Sequence, residues 1–177
     1  MIASFNGFHI DSIKLEDSKS INVLMVSNAD RFKRYFPGTL AQNLTEELSE
    51  AFAKTKVAQF QNKEEYLFTI KEETSGHIIG LVYIKELDWV KKQGEFAYCM
   101  DVDYGGKGIV YKSVKALSDH AFESLGLETL QIIVHKDNIP SVKVASNNNF
   151  KWIETLSNEF TPTGERPLDM ELYELYK

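Results

Sequence analysis

Apolar and polar positions alternate from Phe8 to Lys14, the period of two that a half-buried strand requires. The period then lengthens. Asp17-Ser18 offers a cap, and Ile21, Leu24 and Met25 fall on one side of a helix. Residues 28–38 read as a connection closed by Pro37-Gly38. A second helix is expected from the cap Thr45 towards Asn62, carrying Leu48, Phe52 and Val57. Tyr66–Ile70 is β-branched and aromatic, Ser75-Gly76 is a turn signal, and His77–Leu87 and Gly94–Asp101 continue as strands. Val110, Val114, Leu117, Ala121 and Leu125 recur at helical spacing until Gly126 ends the run. Leu130–Val134 is apolar almost throughout, the pattern of a strand buried on both faces. A short helix is expected at Ile139-Pro140, where Pro costs nothing in a first turn. Two last strands, Phe150–Leu156 and Leu168–Tyr176, flank a loop with Pro162, Gly164 and Pro167. Helices sit among strands without strict alternation, which predicts an α+β fold on a mixed sheet. No repeat or break in composition divides the chain, so a single domain over residues 1–177 is expected.

Composition narrows the function. The 177 residues are 43% hydrophobic and 26% charged, ordinary globular values, with 11 Phe and 8 Tyr to fill a core. A chain of this length buries about 70% of its unfolded surface and needs no disulfide or metal. Cys99 stands alone, so it has no intramolecular partner, which suits a reducing, cytoplasmic setting. His9, His77, His120 and His135 lack Cys or acidic partners at ligand spacing, so no metal is expected. The net charge of −6 argues against nucleic acid as a partner. The first twenty residues hold no basic region leading into an apolar run, and no segment approaches 18 apolar residues. Neither a secretory leader nor a membrane span is therefore expected.

One segment carries chemistry. After the strand at Gly94–Asp101, Gly105-Gly106-Lys107-Gly108 opens a helix. Exposed amides and the positive dipole end of a helix attract phosphate, and glycines let the backbone approach it. Two better-known phosphate loops fail. Lys107 is followed by Gly108 rather than Ser or Thr, and a dinucleotide fingerprint would need a glycine at Tyr111. Taken alone, the glycines fit a plain strand-to-helix turn as well as a phosphate loop.

The flanking residues add to this. Gly94-Glu95-Phe96-Ala97-Tyr98-Cys99-Met100-Asp101, followed by Tyr104-Gly105-Gly106-Lys107-Gly108-Ile109, resembles the acetyl-CoA motif of the GNAT N-acetyltransferase superfamily. His135-Lys136-Asp137-Asn138-Ile139-Pro140-Ser141-Val142-Lys143-Val144-Ala145 is similar to the post-strand segment of its ribosomal-protein N-terminal acetyltransferase branch. Asn149-Phe150 stands where that branch has Gly-Phe, a mild change because Asn tolerates the left-handed conformation after a helix. The resemblance implies a mostly antiparallel, twisted sheet of about seven strands flanked by about four helices. It also implies that acetyl-CoA is held by Tyr98, Cys99 and Met100, by Gly105, Gly106, Lys107, Gly108 and Ile109, and by Asn138 and Ser141. A main-chain N–H near Tyr98–Met100 would polarise the thioester carbonyl, and Ser141 would return a proton to the departing sulfur.

Two positions depart from the family pattern. Asp103 replaces Gln or Arg at the motif's start, and Ala145 stands where many relatives carry a tyrosine acid. For the base, alternation puts Glu95, Ala97, Cys99 and Asp101 on one strand face. Glu95 can then serve as proton acceptor or as a solvated charge. Ser141 can be a proton donor or an ordinary first-turn serine, and Asn138 a pantetheine contact, a helix cap or both. The basic-aromatic run Arg31–Phe36 reads as a connection with packed aromatics or, by the resemblance, as a flank of the acceptor groove. The resemblance implies a primary amine as acceptor, either a protein N-terminus or a small polyamine or aminoglycoside. A non-catalytic CoA-binding module is the reading from another class, and a homodimer rests on analogy with relatives alone.

Overall fold

Asn6 and Gly7 both take left-handed backbone angles, φ 52° and 81°, the geometry of a two-residue hairpin turn. In the computed structural model, which describes residues 1–177, this turn joins β1 (Ala3–Phe5) to β2 (Phe8–Ser12). The expected first strand begins at Phe8, so β1 is an addition. Three residues are too few to show a period, and Asn6-Gly7 is the signal that marks it.

There follow α1 (Ser18–Ser27), α2 (Ala29–Tyr35), α3 (Pro37–Ala41), α4 (Glu46–Gln61), β3 (Tyr66–Glu72), β4 (Ile78–Asp88) and β5 (Gln93–Met100). The chain continues through α5 (Ile109–His120), β6 (Thr129–Val134), α6 (Ile139–Asn147), β7 (Lys151–Phe160) and β8 (Leu168–Tyr176). The strands are hydrogen-bonded in the order β1-β2-β3-β4-β5-β6-β8-β7. β5 runs parallel to β6, while β1–β2, β2–β3, β6–β8 and β7–β8 are antiparallel. This is the expected α+β architecture, with eight strands for about seven and six helices for about four. The added helices, α2 and α3, occupy the stretch read as a connection. Pro37 starts α3 where its missing N–H costs nothing, and Phe32 anchors α2 in the core. Helices of seven and five residues are too short to display a period.

Contacts gather the chain into two compact units, residues 1–83 with 98–109, and 84–97 with 110–177. In the first, Tyr66–Lys71 of β3 and Ile78–Tyr83 of β4 are buried on both faces. Phe60 of α4 packs edge-on against Tyr66 and Phe68, with centroids 4.9 and 5.4 Å away. The buried stripe of α4 is Ser49, Phe52 and Ala53, which leaves Leu48, expected inside, exposed. Lys71 is buried among these apolar residues, and its Nζ meets Asp17 Oδ1 at 2.6 Å. Asp17 Oδ2 accepts the Lys14 N–H at 2.9 Å, so the carboxylate is satisfied on both oxygens.

In the second unit, β6 pairs with β5 from Gln93↔Thr129 to Phe96↔Ile132, and with β8 along its whole length. Leu130, Ile132 and Val134 are buried, while Thr129, Gln131 and Ile133 are only half-buried. The expectation of burial on both faces is therefore corrected, because the face holding Gln131 is a polar one. On the buried face Phe96 meets Phe150, with centroids 6.3 Å apart. Val114 and Leu117 of α5 are fully buried, as is Ala121, which opens a single wider π turn over Ala121–Leu125. Gly126, at φ 80°, ends the helical run as expected. The wider turn leaves no trace in the apolar spacing. β7 is exposed along most of its length, and its register with β8 shifts between Trp152 and Glu154 and again between Leu156 and Phe160. No helix is long and apolar enough to cross a membrane.

The Asp17–Lys71 pair yields a stability prediction. Lys71→Met strands a buried carboxylate and should cost about 3–5 kcal/mol in urea unfolding. Adding Asp17→Leu removes the stranded charge and should recover most of that loss.

Candidate functional site

The first unit holds the glycine loop. Asp101 ends β5, and its Oδ1 accepts the Asp103 N–H at 2.9 Å, folding Val102–Tyr104 into one tight turn. Gly105–Gly108 then lie exposed, and Ile109, buried, begins α5. Gly106 and Gly108 are left-handed, at φ 75° and 71°, and nothing lies within 4 Å of where a Cβ would stand on either. The backbone conformation, not a shortage of space, demands glycine at both. The first-turn amides of α5 have no acceptors inside the helix, so an exposed, left-handed loop leading into them fits a pyrophosphate. Lys107 supplies a cation, its Nζ 4.7 Å above the Tyr104 ring. Tyr104 in turn packs edge-on against Phe8, with centroids 5.8 Å apart, and its hydroxyl donates to Glu72 Oε1 at 3.3 Å.

The strand leading into this loop is held by residues from the helical side of the same unit. Arg31 Nη1 donates to the Met100 carbonyl at 3.1 Å. The Val102 N–H donates to Asn28 Oδ1, also at 3.1 Å. Arg31 therefore contacts the end of β5, where the sequence showed only a basic-aromatic connection. Cys99 lies buried on β5, and that burial pushes its thiol up to about 12. At neutral pH it remains a protonated, apolar side chain.

The second unit holds Glu95, Asn138 and Ser141. The Glu95 side chain is only 14% exposed, and its Oε1 lies 2.9 Å from Lys85 Nζ. Burial raises its carboxyl above the ordinary value, and Lys85 opposes that rise. A solvated charge at a strand's start would show neither feature. Glu95 stands in register with Gln131 of β6. Gln131 accepts from Gln93 Nε2 at 3.0 Å and donates to Glu174 Oε1 at 2.6 Å. The Tyr176 hydroxyl donates to the other Glu174 oxygen.

Asn138 caps α6, its Oδ1 accepting the Ser141 N–H at 3.4 Å. Ser141 thus sits in the first turn, beside the N-terminal dipole of α6. Ala145 is fully buried, which explains why a tyrosine has no place there. Asn149 takes φ 64°, the left-handed conformation expected of it.

Tyr98, Cys99, Met100, Gly105, Gly106, Lys107, Gly108 and Ile109 accordingly form one continuous segment of the first unit. Asn138 and Ser141 form a cap in the second, and Glu95 an ion pair there. Sequence reasoning missed Asn28 and Lys85. Pairing β4 and β5 symmetrically about residues 89–92 sets position 86, not 85, opposite 95, Glu86 itself being irregular at φ 50°, and nothing local marks Asn28. No three His, Cys, Asp or Glu side chains are placed to hold a metal ion.

The ion pair makes a prediction that needs no assay. Lys85 holds Glu95 towards its ionised form, so Lys85→Met should move the Glu95 carboxyl titration to higher pH, read by carbon NMR. A titration that stays in place would show that Lys85 exerts no such pull.

Similarity to known proteins agrees with this geometry. Residues 9–151 match the model of the acetyltransferase (GNAT) domain. Spermidine N(1)-acetyltransferase of Escherichia coli K12 is 29% identical over 119 residues, 67% of this chain, and the match spans 61% of that relative's length. Among solved structures, the ribosomal-protein-S5-alanine acetyltransferase of Vibrio fischeri superposes with a TM-score of 0.92 at 20% identity, covering 98% of this chain and 95% of that one. A ribosomal L7/L12 α-N-protein acetyltransferase in complex with coenzyme A gives 0.91 at 16% identity, covering 99% and 97%. The domain match takes in the glycine loop, Glu95, Asn138 and Ser141, and on it the chain belongs to the GNAT acetyltransferase family.

Proposed function

We propose that residues 1–177 act as one acetyl-CoA-dependent N-acetyltransferase domain that moves acetyl to a primary amine, the α-amine of a protein N-terminus. The observation that carries this reading is the exposed glycine loop, whose left-handed Gly106 and Gly108 leave its backbone open to a pyrophosphate. Acetyl-CoA supplies the thioester. By the family resemblance, a main-chain N–H in the Tyr98–Met100 segment polarises the thioester carbonyl. Glu95, with a raised pKa, is poised to take the proton that an ammonium gives up as its nitrogen attacks the carbonyl carbon. As the carbon–sulfur bond breaks, Ser141 passes its proton to the sulfur and takes up the one that the acylated nitrogen sheds, giving amide and free CoA. Asn138 fixes Ser141 by capping the turn that holds it. The lone, unpaired Cys99 supports a cytoplasmic place of work.

Sequence favours a second acceptor. The match to a spermidine acetyltransferase and the net charge of −6 both suit a polyamine.

The test is to incubate the chain with acetyl-CoA and a panel of N-terminal peptides, polyamines and aminoglycosides, and to follow thiol release. Turnover on peptides supports the first acceptor, and turnover on spermidine alone replaces it with the second. Binding without turnover selects a CoA-binding module, and absence of binding overturns the whole reading. Ser141→Ala should lower kcat more than it raises KM for acetyl-CoA, and an unchanged kcat would remove Ser141 from the mechanism. Glu95→Gln should lower kcat by about 10²–10⁴-fold, the usual worth of a general base. In the wild type kcat/KM should fall with acidification through a pKa above the ordinary Glu value, because the raised carboxyl must be ionised to act.

A further inference from the structure

Asn28 occupies the junction between α1 and α2 and is 4% exposed. Its amide is used on both sides. Nδ2 donates to the Leu24 carbonyl at 3.1 Å, which ends α1, and Oδ1 accepts the Val102 N–H at 3.1 Å. Val102 is the first residue of the tight turn that delivers the chain to Gly105. The helix does not run on through Asn28. Instead α1 stops, Asn28 takes φ −114° and ψ 19°, and α2 restarts at Ala29. The break in the helix therefore coincides with the placing of one acceptor oxygen against one strand-exit amide. Arg31, in the first turn of α2, adds a second bond to the same exit through the Met100 carbonyl. All these groups belong to the same compact unit as the loop.

We infer that Asn28 is a positioning residue for cofactor binding: by holding the Val102 amide it sets where the glycine loop presents its own amides to the pyrophosphate. The inference rests on the acetyl-CoA reading above. Gly106 and Gly108 are conformationally permissive, so the loop's placement is decided at its ends. Downstream the end is α5 itself. Upstream it is the segment Met100–Tyr104, and Asn28 is the buried side chain that grips it. An anion held by several backbone amides is sensitive to their common orientation, so a loosened upstream end weakens cofactor binding without touching the reacting atoms.

Two substitutions separate this role from the capping of α1. Asn28→Ala removes both bonds. Asn28→Asp keeps an acceptor oxygen for Val102 and loses the donor to Leu24. Both should lower Tm. Calorimetric titration with CoA should show Kd raised about two- to tenfold in the alanine variant, the worth of one net hydrogen bond, and restored in the aspartate variant. KM for acetyl-CoA should follow Kd while kcat at saturation stays within about twofold. Hydrogen exchange at the Val102 amide should accelerate in the alanine variant only. Equal weakening of CoA in both variants would overturn the inference, because the loss would then track the Leu24 bond. So would wild-type affinity in Asn28→Ala. A wild-type chain that binds no CoA would instead overturn the acetyl-CoA reading, and Val102 exchange would still decide whether Asn28 fixes the loop.

Discussion

Close backbone approach between β4 and β5 constrains everything that follows β5. A Cβ on Gly80 would come within 3.0 Å of the Cys99 carbonyl and 3.2 Å of Ile70 Cδ1. A Cβ on Gly94 would come within 2.7 Å of Ile84 Cγ2. Neither glycine has a left-handed backbone; each is required by space alone. Because β3 and the first half of β4 are buried on both faces, no rotation or outward shift of β5 relieves such a contact cheaply. Within the first unit the end of β5 is thereby fixed, and so is the point at which it delivers Cys99 and the glycine loop. The chain uses glycine in two ways within thirty residues of sequence: for proximity in the sheet, and for backbone sign in the loop.

Charge is arranged with similar economy. Although the chain carries a net −6, two of its acid–lysine pairs, Asp17–Lys71 and Glu95–Lys85, differ in character. Asp17 is satisfied by a lysine and a backbone amide and ties a helix start to β3. Glu95 has its one lysine and a burial that pushes its carboxyl upward. The first pair is closed and structural. In the second, burial lifts the carboxyl above the ordinary Glu value while Lys85 holds it towards its ionised form.

Much of this was legible in the sequence because the signals were local. The stripe Val114, Leu117, Ala121 gave α5, Thr45 gave the start of α4, and Gly105–Gly108 stood out by composition. Strand positions followed from β-branched, aromatic and other apolar runs, although β7 extends to Phe160, past the expected Leu156. What escaped was either too short to show a period, as with β1, α2 and α3, or depended on partners distant in sequence. Gln131 among apolar neighbours did not reveal that one face of β6 is polar, since that follows from Gln93 and Glu174 on other strands. Asn28 and Val102 lie 74 positions apart, so their bond has no signature in either neighbourhood.

The irregular edge of the sheet has a consequence of its own. β7 is the terminal strand, ten residues long, with Trp152 and Ile153 exposed. A regular strand of that length and composition would offer a row of free main-chain groups to any other extended chain. Its two register shifts, with Asn158 turned to φ 53° and its N–H spent on Asp169, interrupt that row. At the opposite end β1 offers only three residues. Both margins of the sheet are therefore poor templates for strand-by-strand growth.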